Sequence, residues 1–100
     1  MNIKTTIAAA IIAIMPMAAQ AQSPGTTCEE IQSLAALLMD IRQGGAPIAT
    51  TMEGAGDDPY LRAMVIAAYE QPRFRTEASK QRAIEDFSNE VALKCYAARS

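Results

Sequence analysis

Apolar residues recur at steps of three and four along much of this chain, and each recurrence is bracketed by helix start and stop signals. Ile31, Leu34, Ala35, Leu38 and Ile41 form one such stripe, with Cys28 on its edge. Thr27 and Glu30 stand at capping-box spacing before it, so the first helix is predicted to begin at Cys28. Gly44-Gly45 and then Pro47 end it, because glycine takes the left-handed C-terminal conformation and proline cannot continue the ladder. Ile84, Phe87, Val91 and Cys95 mark a second stripe, on a helix expected to run from a Thr76 cap to about Ala98. Glu77, Lys80, Arg82, Glu85, Asp86 and Glu90 lie mostly off that face. Spanning roughly 34 Å, this last helix is the expected backbone for the shorter ones.

Between them the pattern is less regular. Asp58-Pro59 is a start signal, an N-cap acid followed by a residue whose missing N–H costs nothing in the first turn. Leu61, Met64, Val65 and Ala68 make a stripe that Ile66, Ala67 and Tyr69 widen to most of the circumference, placing this helix in the middle of a bundle. Pro72 stops it. Residues 48–56 allow either a loop or one or two turns of helix around 49–54 buried through Ile48 and Met52. No stretch alternates in the manner of a strand. The expected fold is all-α: a compact bundle of three helices plus a short fourth, with neighbouring helices antiparallel across short connections.

The N-terminus changes the picture of where this bundle works. Lys4, an apolar run from Ile7 to Met15 and the small-residue site Ala19-Gln20-Ala21 have the layout of a secretory signal. Residues 1–21 are therefore expected to be removed before Gln22, leaving 22–26 as a disordered lead-in and 27–100 as one helical domain. The apolar run is well short of the roughly 20 residues a bilayer span needs. No membrane association is expected after signal removal, and the location is periplasmic or secreted. In such an oxidising compartment Cys28 and Cys95, the chain's two cysteines, read as one disulfide joining the start of the first helix to the end of the last.

Charge and chemistry narrow the function by elimination. Lys4 leaves with the signal, so eight bases face eleven acids, net −3. Nucleic acid is disfavoured, since phosphate binding requires a surplus of Lys and Arg on one face. Six acids against Arg42 in residues 28–58, then seven bases against five acids in 59–100, are explained by complementarity between helices. The chain has no histidine, which removes the commonest general base and metal ligand. With both thiols in a disulfide, no thiolate nucleophile or zinc site remains, and no glycine loop or nucleophile elbow occurs. Glu85, Asp86 and Glu90 read as a solvated helix face, and Met39, Met52 and Met64 as core filler rather than copper ligands. No enzyme, cofactor or metal is expected.

The most distinctive surface candidate is the group Tyr69, Arg73, Phe74, Arg75 and Lys80, an aromatic flanked by guanidinium groups of the kind enriched at interface centres. The alternative has Phe74 closing the bottom of the core and the arginines solvated or bonded to helix ends. Cys28, Leu34-Ala35, Met39, Ile41-Arg42-Gln43-Gly44, Pro47, Met52, Val65-Ile66, Ala68-Tyr69, Pro72-Arg73, Phe87 and Cys95 resemble a group of small exported proteins of proteobacteria and their phages, whose function is unassigned. That resemblance implies export and the disulfide. Thr27-Cys28-Glu29-Glu30 is also locally similar to the first cysteine region of small periplasmic acid-stress chaperones. The expectations are a monomeric protein-binding module of the cell envelope (inhibitor, immunity-type or accessory factor) or, alternatively, an acid-activated holdase.

Overall fold

The structure is a computed structural model that describes residues 26–99. The expected signal segment, most of the lead-in and Ser100 lie outside those residues. Four helices follow in order: α1 (Cys28–Gly44), α2 (Ile48–Ala55), α3 (Pro59–Glu70) and α4 (Glu77–Arg99). Among the described residues there is no strand, so the all-α bundle of three helices and a short fourth is the observed fold.

Local signals account for the boundaries. The Thr27 side chain accepts from the Glu30 N–H at 3.0 Å while Glu30 Oε1 accepts from the Thr27 N–H at 2.8 Å, a complete capping box. The α1 terminus turns at Gly45, whose φ of 92° is left-handed and whose N–H donates to the Arg42 carbonyl. An Asp58 carboxylate oxygen accepts from the N–H groups of Tyr60 and Leu61, and Pro59 occupies the first helical position. Gln71, before Pro72, has the extended backbone that proline imposes on its predecessor. At the start of α4 the Thr76 hydroxyl accepts from the Ser79 N–H at 3.1 Å.

Packing differs from expectation in three places. The hub is α1, which packs extensively against α4 and also against α3, while α2 packs on α3. Neither α3 at the centre nor α4 as a common backbone describes this bundle. The reason is the width of the α1 face: besides Ile31, Ala35 and Leu38 of the stripe and the expected Cys28 and Met39 it buries Gln43, while Leu34 and Ile41 are half-buried, enough for neighbours on two sides. By contrast α3 leaves Ile66 45% exposed despite its nearly continuous apolar composition. On α4 the buried residues are Phe87, Ser88, Ala92 and Cys95, with Ile84 and Val91 half-buried, so the inward face is rotated toward small side chains. Together with Ala35 on α1, Ser88 and Ala92 leave room for close helix approach; the buried Ser88 hydroxyl is satisfied by the Glu85 carbonyl at 3.1 Å. In α2 the helix alternative holds, but Ile48 is 42% exposed and Met52 half-buried, and Ala55 is the residue that enters the core. Little more than two turns fit between Pro47 and Gly56, so its apolar face is only partly covered.

The disulfide closes the α1–α4 pair. Cys28 and Cys95 are bonded with Cα atoms 5.7 Å apart, and both are buried. Farther along the same interface Gln32 Nε2 donates to Asn89 Oδ1 at 2.7 Å. In the chain-entropy model a link across 67 residues removes about 4 kcal/mol of unfolded-state freedom. Against a typical total of about 5–15 kcal/mol, that is a major term for so small a domain.

Candidate functional site

The segment joining α3 to α4, residues 71–76, carries the centre of the predicted interface group and is held to the end of α1 by side chains rather than by a ladder. Gln43 is its anchor. This amide is only 2% exposed, yet every polar atom on it is engaged: Nε2 donates to the Pro72 carbonyl at 2.9 Å and sits 3.5 Å from Met39 Sδ, while Oε1 accepts from the Phe74 N–H at 2.8 Å. A buried amide pays for its desolvation only when its bonds are made. Here those bonds are made to the connection, which is thereby fixed on both sides of Arg73. Arg42 adds a third tie, donating from Nε to the Gln71 carbonyl at 3.0 Å.

The five predicted residues separate into two groups. Tyr69 is half-buried and belongs to the scaffold. Its hydroxyl donates to the Ala46 carbonyl at 2.7 Å; with that one hydrogen committed, the Thr51 hydroxyl at 2.9 Å serves as donor to it. The Arg42 guanidinium carbon lies 5.1 Å from the Tyr69 ring centroid, within cation–π range. Tyr69 thus links α3 to the α1–α2 turn, to α2 and to the last turn of α1. Arg73 is likewise bonded to a helix end, its Nη2 lying 3.5 Å from the Gln43 carbonyl. A Cβ on Gly45 would meet that guanidinium at 3.0–3.3 Å, so a side chain there would be strained by the left-handed backbone and would also displace the end of Arg73 by a few tenths of an ångström.

Phe74, Arg75 and Lys80 face outward to different degrees. Phe74 is 39% exposed, which removes it from the core floor. It borders a shallow cleft of about 190 Å³ whose other walls include Arg82, Asp86, Phe87 and Glu90 of α4. Arg75 is exposed, and Lys80 is half-buried with its ammonium 3.7 Å from the Glu77 carboxylate. The structure therefore presents an aromatic ring and a guanidinium on a short, tethered connection beside a mixed-charge cleft. Such a surface can take an apolar side chain against Phe74 and an acidic group against Arg75.

Gln43 is the residue that sequence reasoning overlooked. Its only signal is that it follows Met39 by four positions, one helical turn, and a polar residue just before Gly-Gly otherwise reads as solvated. All eleven Asp and Glu side chains are exposed, and no group of three or more His, Cys, Asp or Glu that could hold a metal occurs among the described residues. No family model, curated protein or solved structure matches this chain.

Proposed function

We propose that this is an exported, non-catalytic protein-binding module of the cell envelope, acting as a monomer through the surface built on Phe74 and Arg75. The single observation that carries this reading is the tethering of residues 71–74 to α1 by Gln43 and Arg42, which holds a partly exposed aromatic in a fixed place. A side chain whose backbone is ordered in advance loses less freedom on binding, and aromatic and arginine side chains dominate interface energetics. The buried disulfide in a small domain is compatible with an oxidising, exported location. The layout of residues 1–21 supports removal of a signal before Gln22. No described helix is long and apolar enough to cross a membrane.

Capture from an envelope extract is the test. The wild type is expected to retain a discrete partner that Phe74→Ser with Arg75→Glu loses, while circular dichroism shows equal helicity in both. Arg73 is left unchanged because it packs on Gly45. Retention of no discrete partner, combined with suppression of client aggregation in acid alone, would replace this function with that of a holdase.

A further inference from the structure

A second concavity lies at the opposite end of the bundle from the Phe74 connection, where the start of α1, the start of α3 and the end of α4 meet. Its volume is about 360 Å³, near the lower end of the roughly 300–1,000 Å³ of small-molecule sites. The interior is made by Ile31, Leu34, Leu61 and Ala98, with the half-exposed Tyr60 ring at its border. Two cations, Lys94 and Arg99, also line it. One acid, Asp58, is there too, but an oxygen of that carboxylate is committed to the Tyr60 and Leu61 N–H groups of the α3 cap. The neighbouring Glu90 pairs with Lys94 at 3.6 Å across an exposed contact, which is weak and readily exchanged for another anion. Arg99 spends an Nη1 hydrogen on the Thr26 carbonyl at 2.8 Å and keeps further donors in its fork.

We propose that this groove binds a single-chain anionic amphiphile, a fatty carboxylate, with its acyl chain along Ile31, Leu34 and Leu61 and its head group on Lys94 and Arg99. Charge complementarity selects the occupant. A purely apolar ligand makes no use of the exchangeable Lys94 ammonium or of the remaining Arg99 donors, and a two-chain lipid exceeds a groove of this volume. The inference is independent of the Phe74 surface.

The test is titration of the exported, oxidised protein with dodecanoate below its micelle concentration, followed by methyl NMR and calorimetry. Saturable one-to-one binding is expected, with shifts concentrated at Ile31, Leu34, Leu61 and Ala98. Dodecanol is expected to bind at least about tenfold more weakly, the scale of one charge-assisted contact. Lys94→Glu with Arg99→Glu, an exposed pair whose effect on helicity is checked separately, should lose a similar factor for dodecanoate and none for dodecanol. Leu34→Trp should fill the groove and block both ligands. Failure to saturate, unchanged dodecanoate affinity in the charge-reversed protein, or shifts centred on the exposed Leu93 and Tyr96 instead would overturn the assignment.

Discussion

Replacing Gln43 probes the joint on which the Phe74 surface rests. Gln43→Ala removes the partners of the Phe74 N–H and the Pro72 carbonyl and opens a space beside Met39. Each orphaned buried group costs about 1–3 kcal/mol, and the partial exposure of the connection lets water recover some of it. A net loss on the order of 3 kcal/mol follows, equivalent to a fall in Tm of about 12–24 °C for a domain of this size. Gln43→Glu sharpens the test through pH. The introduced carboxylate can still accept from the Phe74 N–H, but its second oxygen faces the Pro72 carbonyl, so burial and that carbonyl both favour the protonated form. Its folded-state pKa is therefore raised above the unfolded value. The stability associated with the protonated form is complete below the unfolded pKa and is lost as pH rises through the folded one. Thermal and urea melts of the oxidised variants, followed by circular dichroism across the acidic to neutral range, supply both quantities. A loss below about 1 kcal/mol for Gln43→Ala, or a flat pH profile for Gln43→Glu relative to wild type, would refute the claim that this amide holds the connection.

Three further outcomes follow from the packing. Phe87 is 5% exposed, so Phe87→Ala is expected to cost about 3–5 kcal/mol, measured by urea denaturation; a loss below about 1 kcal/mol would place that ring outside the core. Reduction of Cys28–Cys95, or its replacement by two serines, should remove about 4 kcal/mol, and intact mass before reduction should show two fewer hydrogens than the dithiol form. Gly45→Ala forces a left-handed alanine against the Arg73 guanidinium and should cost about 1–2 kcal/mol, whereas Gly44→Ala, with no neighbour within 4 Å of the added Cβ, should be tolerated.

How much of this was legible in the sequence depends on how local the cause is. The α1 start rests on contacts between Thr27 and Glu30, the α3 start on Asp58 and Pro59, and both helix ends on glycine or proline chemistry, all within a few residues of one another. The Cys28–Cys95 link was legible for a different reason, since a chain with two cysteines leaves one internal pairing. What escaped was set by partners far along the chain. Gln43 joins the buried face of α1, beside the expected core residue Met39, only because α3 and α4 cover two sides of that helix, and that cover made α1 the hub. Tyr69, which the pattern placed both in the α3 apolar stripe and in the surface group, is half-buried against Ala46 and Thr51, and the exposed Arg73 bonds a helix end as the alternative reading had it. Phe74 and Arg75 retain the exposure expected of an interface, although the amide that sets their position, thirty-one residues before Phe74, left almost no trace in the pattern.

Photo-crosslinking from position 75 in an envelope extract, with a photoreactive residue replacing the exposed Arg75, tests the central claim most directly because it reports the contact itself. A discrete adduct is expected, formed in the oxidised protein and lost with Phe74→Ser at unchanged helicity. Equal adduct yield with Phe74 intact or replaced, or adducts only from a probe on the Leu93 face, would contradict the account.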